Sequence, residues 1–300
     1  MGGNAPSVGS SVYKERIIDE ICYALGVGRS GVLRRLLGPL FQRPAGRLGE
    51  IAARADSEVK FSGISGGARV ILPDLSLSVG ARGIDLIPAD GPLLLAANHP
   101  GGLDSLAILS CVPRKDVKVL LSDVPFTRTF IAARQYFIFV PTGRADRAAT
   151  LRTAIDHLRN GGSVLIFPHG DVEPDPEVSR GASPSIQDWS RSVEIMLRRV
   201  PESWLQVAIV SGVLDRKFVR SPVLKIRKSP ARQQKLAEVL QLSRQMVSPS
   251  RVRTHAHVSF SGPVKGAALT REGAMPALIR RASRLLEDHL ASWGIPAPPV

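Results

Sequence analysis

From about residue 66 onward, short apolar runs alternate with longer amphipathic stretches, and this alternation limits the possible folds more than any other feature of the chain. The runs LSLSV (75–79), PLLLAAN (92–98), VKVLLS (117–122), YFIFVP (136–141), SVLIFPHG (163–170), LQVAIVSGV (205–213) and HAHVSFSG (255–262) read as strands, most of them too uniformly apolar to face water on either side. Helical spacing separates them. In ADRAATLRTAIDHLRNGG, Leu151, Ala154, Ile155 and Leu158 share one face and Gly161-Gly162 supplies the stop. Further helices are predicted in DSLAILSCV and over about 188–199, 230–247 and 271–292. The pattern predicts an α/β fold, a mixed central sheet flanked by helices.

A helical pair is predicted to precede this body. Tyr13, Ile17, Ile18, Ile21 and Leu25 form one helix face over residues 12–25. In SGVLRRLLGPL, Ser30 is a candidate N-cap, Val32, Leu33, Leu36 and Leu37 form a stripe beside Arg34 and Arg35, and Gly38-Pro39 ends the helix. Leucines flanked by arginines suit a helix lying on a membrane surface; packing on the core is the alternative. The expected division is 1–65, a helical segment and candidate membrane-surface element, followed by an α/β domain over 66–300.

The charge balance narrows the partners. Forty Lys and Arg oppose 26 Asp and Glu, a formal net charge of +14, which favours an anionic partner: an anionic membrane, a phosphorylated metabolite, an acidic carrier protein or nucleic acid. Aromatic residues are only 5% of the chain and no nucleic-acid motif is visible, so nucleic acid is not expected. Basic residues crowd 214–253 against only Asp215 and Glu238, a surface suited to anionic lipid or an acidic carrier, or simply a solvated face. The two cysteines, Cys22 and Cys111, have neither disulfide-framework nor zinc spacing, which fits a reducing cytosol. No apolar stretch approaches the ~20 residues that span a bilayer, and MGGNAPSVGSS lacks the apolar run of a signal peptide.

Three strand ends carry the chemistry-bearing residues. The run Leu93–Ala97 stops at Asn98-His99, where open α/β sheets gather functional groups. Pro100-Gly101-Gly102 permits a sharp turn before Asp104-Ser105 opens a helix, which can return Asp104 to one imidazole nitrogen of His99 and leave the other to accept a proton. A satisfied loop histidine beside a capping aspartate is the alternative. FIFVPTGRADR (137–147) offers Arg144 and Arg147 as anion binders. VLIFPHGD (164–171) places Phe167, Pro168, His169 and Gly170 at a third end, with the glycine expected to allow close backbone approach; His169 either joins a pocket or satisfies a backbone carbonyl. His255 and His257 alternate on one strand face and are not expected to bind metal.

NHPGGLD resembles the NHxxxxD block of the glycerolipid (PlsC-type, lysophosphatidic acid) acyltransferase family, FIFVPTGR its second block, and FPHG its FPEG block. Order and intervals agree over about residues 85–215. The resemblance implies that His99 is the general base and that Asp104 orients it. An acceptor hydroxyl or amine then attacks the thioester of acyl-CoA or acyl-carrier protein directly. It further implies that Asn98, Gly101 and Gly102 lie beside the substrate, with backbone N–H groups of the glycine turn holding the oxyanion. Arg144, assisted by Arg147, would bind an acceptor phosphate, and Phe167, Pro168, His169 and Gly170 would line the acceptor pocket. No metal or further cofactor is implied, the acceptor is a lysolipid or glycerol-phosphate type, and the protein is expected on the cytoplasmic face of a membrane.

The sequence also departs from the pattern. His169 stands where the family has Glu, Asp171-Val172 replaces Thr-Arg, and VAIVSGV lacks the fourth block's proline. Either Glu173 takes over from the missing glutamate or the acceptor is not the usual lysophosphatidate. The competing classes are a non-catalytic lipid- or carrier-binding protein on the same fold and an acyl-thioester hydrolase.

Overall fold

The computed structural model describes residues 9–27, 32–141 and 147–296. Three N-terminal helices, α1 (Ser10–Ala24), α2 (Val32–Leu37) and α3 (Gln42–Ile71), lead into β1 (Leu77–Arg82), β2 (Leu93–Ala97), α4 (Gly102–Cys111), β3 (Val117–Ser122), α5 (Pro125–Arg128) and β4 (Phe137–Val140). Next come α6 (Arg147–Arg159), β5 (Ser163–Ile166), α7 (Ala182–Gln187), α8 (Ser192–Arg199), β6 (Trp204–Ser211), α9 (Arg216–Val219) and α10 (Pro230–Val247). The chain closes with β7 (Thr254–Phe260), β8 (Val264–Lys265), α11 (Gly266–Glu272) and α12 (Ala274–Ser292).

Among the described residues the strands form one eight-stranded sheet in the order β1-β7-β6-β2-β5-β3-β4, with β8 pairing β6. β2 lies between β5 and β6, parallel to both, while β7 and β8 run antiparallel to β6, so the sheet is mixed. The carboxyl ends of β2, β5, β3, β4 and β6 therefore share one edge. A parallel centre must be covered on both sides, which is why β2 is buried along its whole length. Its side chains alternate between faces: Leu93 and Leu95 pack with α3 and α4, Leu94 and Ala96 with α6, α8 and α12. Each such buried leucine contributes about 2 kcal/mol.

The N-terminal region differs from the sequence expectation. A third helix, α3, runs through residue 65, and Ile51, Ala55, Val59, Ile64, Ala68 and Ile71 enter the same core as Leu93 and Leu95. Its glycine-rich stretch concealed it; Gly63, at φ 69°, bends the helix without ending it. Tyr13, Ile17, Ile18 and Ile21 of α1 pack on Ala45 and Ala52 of α3. Of the stripe read in 30–39, Ser30 and the side chains of Val32, Leu33 and Leu37 lie outside the described residues, and Leu36 is exposed. The helix read over 188–199 begins only at Ser192, as α8, with the separate short α7 before it, and the C-terminal one is interrupted at Gly273, φ 91°, between α11 and α12. No helix among the described residues is long and apolar enough to cross a membrane.

Candidate active site

The site starts where β2 ends. Asn98 is buried and extends the ladder with its side chain: its Nδ2 donates to the Val210 carbonyl (2.9 Å), and Val210 N–H donates to its Oδ1 (2.8 Å). Asn98 thus ties β2 to β6 through its side chain. His99 is fixed next by its main chain, its N–H donating to Glu173 Oε2 (2.8 Å) and its carbonyl accepting from Glu173 N–H (2.6 Å).

The glycine turn brings Asp104 back to the ring. His99 Nδ1 lies 2.8 Å from Asp104 Oδ2, which also accepts the Gly101 N–H at 3.1 Å. Asp104 is fully buried, whereas the His99 side chain is a quarter exposed and lies against Phe167, ring centroids 4.5 Å apart. With Asp104 accepting from Nδ1, the neutral ring presents its lone pair at Nε2. Burial pushes His99 toward the neutral form, but the bond to Asp104 and the negative fields of Glu238 and Glu173 outweigh it and leave the imidazole more basic than usual.

Around this pair, several expected roles change. The N–H groups of Gly102 and Leu103 are taken by the Glu238 carboxylate, with Leu103 N to Oε1 at 3.1 Å, and that of Gly101 is taken by Asp104. None is free to hold an oxyanion in this arrangement. Gly101 is extended (φ 170°), so backbone strain does not demand glycine there; a Cβ would lie 3.0 Å from Glu238 Oε1, and close approach does. Gly170 shows the reverse: nothing lies near the place of its Cβ, and its φ of 79° is what requires glycine.

Glu173 does not stand in for the missing acceptor-binding glutamate. It is buried and fully engaged, its Oε1 accepting from Ser185 Oγ and Trp189 Nε1, both at 3.0 Å, while Oε2 holds His99. Burial raises this carboxyl, against the hydrogen bonds and the nearby His169 that lower it. His169 Nδ1 donates to the Asp171 carbonyl (3.0 Å), the backbone-satisfying role, one strand away from His99. Pro168 is buried, and its carbonyl accepts from Ser190 N–H.

Arg144 lies outside the described residues. Arg147 is exposed at the start of α6, beyond β4. In the sheet, β5 and β3 lie between β2 and β4, so β4 is three strand spacings, roughly 14 Å, from the strand that carries His99. No group of His, Cys, Asp and Glu among the described residues is arranged to hold a metal ion.

Sequence reasoning missed what lies over the site. Gln234 of α10 donates from Nε2 to the Pro100 carbonyl (2.7 Å) and to the Glu173 carbonyl, and Lys235 Nζ pairs with Asp171 Oδ1 (2.7 Å). Val239 and Leu242 of α10 border an apolar cavity of about 140 Å³, lined also by Ile17, Ile21, Leu48 and Phe126 among others. The sequence marked this region only as a helix within a basic stretch.

Comparison with known proteins adds a family. The profile of the acyltransferase family matches residues 78–193. No curated protein sequence matches the chain. Among solved structures, the 1-acyl-sn-glycerophosphate (LPA) acyltransferase PlsC from Thermotoga maritima is similar at 15% identity and a TM-score of 0.48, over 93% of this chain and 97% of that one. The matched residues contain His99, Asp104, the FPHG turn and Glu173, and this part of the chain is an acyltransferase-family domain.

Proposed function

We propose that the protein moves a fatty acyl chain from acyl-CoA or acyl-carrier protein to a lysolipid or glycerol-phosphate-type acceptor, with His99 as the general base. The observation that carries this reading is the hydrogen bond of His99 Nδ1 to fully buried Asp104 at the carboxyl end of β2, on a ring that remains partly open. The acceptor hydroxyl gives its proton to Nε2 as its oxygen attacks the thioester carbonyl. The tetrahedral intermediate then collapses, the C–S bond breaks, and the thiolate takes the proton from the imidazolium. Asp104 holds the tautomer throughout and offsets the charge on the ring.

Arg144 binds the acceptor phosphate in this reading, and Arg147 assists it. The protein works on the cytoplasmic face of an anionic membrane. Leu36 and Leu40 are 66% and 72% exposed, and Arg35 and Arg43 are exposed nearby in the chain, an apolar and basic surface suited to lipid.

A mass-spectrometric product screen tests the reaction: purified protein with palmitoyl-CoA or palmitoyl-carrier protein, against lysophospholipids, glycerol phosphate and lyso-amino-lipids. A new acylated product supports the transferase. Free fatty acid alone replaces it with a hydrolase, and lipid binding without any turnover replaces it with a non-catalytic protein.

A further inference from the structure

The N-terminal turn of α4 carries Asp104, and it is capped from outside its own sequence. Its N-cap, Gly101, has no side chain, so the N–H groups of Gly102 and Leu103 depend on another partner. Glu238, 135 residues beyond Leu103, supplies it. A carboxylate is the group a helix N-terminus favours. One turn earlier on α10, Gln234 holds the Pro100 carbonyl, so residues i and i+4 of one helix grip both sides of the glycine turn. Gln234 also binds the Glu173 carbonyl, joining the turn to the segment that fixes the His99 main chain.

We propose that Glu238 is a positioning residue of the His99–Asp104 pair: its carboxylate fixes the first turn of α4, and thereby Asp104, while placing a second negative charge near the imidazole. The inference rests on the reading of His99 as the base. It lies beyond residues 78–193, so the family match does not supply it.

The charged and titratable groups around His99 come from each neighbouring element: Asp104 from α4, His169, Asp171 and Glu173 from the segment after β5, and Lys235 and Glu238 from α10. Lys235 is paired with Asp171, and Glu173 is held by Ser185 and Trp189. Among the described residues Glu238 accepts from main-chain N–H groups at the start of α4. Burial, first, and the field of Asp104 hold its carboxyl above the usual carboxylate range, against those N–H groups and His99, which lower it. In its ionised form it favours the imidazolium formed when His99 takes the acceptor's proton.

The test replaces charge but not shape. Glu238→Gln keeps an acceptor oxygen for the Gly102 and Leu103 N–H groups and removes the anion; Glu238→Ser removes the charge while leaving room for water. In 15N-histidine-labelled protein, the His99 ring is titrated by NMR in the wild type and both variants. The expected result is a His99 midpoint displaced to lower pH in either folded variant, with kcat reduced and the acyl-donor KM within about twofold of wild type, since the positioning group touches no substrate. An unchanged or raised midpoint in a folded variant overturns the proposal. The NMR midpoint needs no turnover, so loss of the general-base reading, seen as undiminished transfer by His99→Ala, is told apart from failure of the Glu238 role.

Discussion

Asp104→Asn changes one atom and separates chemistry from capping. Asp104 Oδ2 receives both His99 Nδ1 and the Gly101 N–H, at 2.8 and 3.1 Å, while its buried Oδ1 has no hydrogen-bond partner. An asparagine must either keep its oxygen toward both donors and bury an unpaired NH2, or turn the NH2 against them. In each case the imidazolium loses its anionic partner, and in the second the ring is driven to the tautomer whose Nε2 cannot accept a proton. General-base catalysis supplies about 10²–10⁴-fold, so kcat should fall at least about 100-fold, or about 3 kcal/mol of barrier. Stability should move little or upward, because a buried carboxylate with an unpartnered oxygen is costly to the fold. A thermal melt should give a Tm within about 4 °C of wild type or above it. The assay is the initial rate of acylated-product formation at saturating acyl-CoA, run beside that melt. Wild-type kcat with a sharply lower Tm would show Asp104 to be a helix cap and nothing more.

Other perturbations reach different parts of the account. Arg144→Ala should raise the acceptor KM far more than the donor KM; an unchanged acceptor KM moves the phosphate contact elsewhere. Leu36→Ser with Leu40→Ser should weaken sedimentation with anionic liposomes, and salt should weaken wild-type binding because screening acts within ~10 Å at 0.1 M; binding indifferent to both removes the membrane surface. Buried His289, its ring nitrogens 2.9 Å from Ser211 Oγ and 2.8 Å from Ser259 Oγ, is lowered to about 3 by burial and by His257. A folded value depressed below the unfolded one means that stability is fully present above about pH 6.5 and lost as pH falls toward 3. Between pH 6.5 and 4.5 this amounts to about 3 kcal/mol. Urea midpoints should therefore fall more steeply with acid in the wild type than in His289→Gln, and parallel curves would show that His289 does not set the acid sensitivity.

The strands were legible because this sheet is parallel at its centre. Buried on both faces, β2 and β5 are nearly continuous apolar runs, and a polar residue or Pro follows each at the functional edge. His99 and Asp104 were legible for the same reason, lying on either side of a turn within a single loop. Contacts far apart in sequence were not. Nothing local pairs β1 with β7, brings Asn98 to Val210, or sends Glu238 to Leu103. The FPHG departure drew attention to His169, whereas Glu173, four residues on, holds the His99 main chain. In α10 the abundant Lys and Arg hid Gln234 and Glu238, which grip the glycine turn. The Gly-rich stretch of α3 misled in the opposite direction, since tertiary packing carries a helix through a kink that local propensity would end.

The central claim is that His99 takes the acceptor's proton. The direct measurement is the transfer rate of His99→Ala against wild type, with the acceptor identified by the product screen and the fold of both proteins verified by thermal melting. A fall in kcat of at least about 100-fold in a folded variant is the predicted result. A variant that transfers acyl groups at the wild-type rate would contradict it.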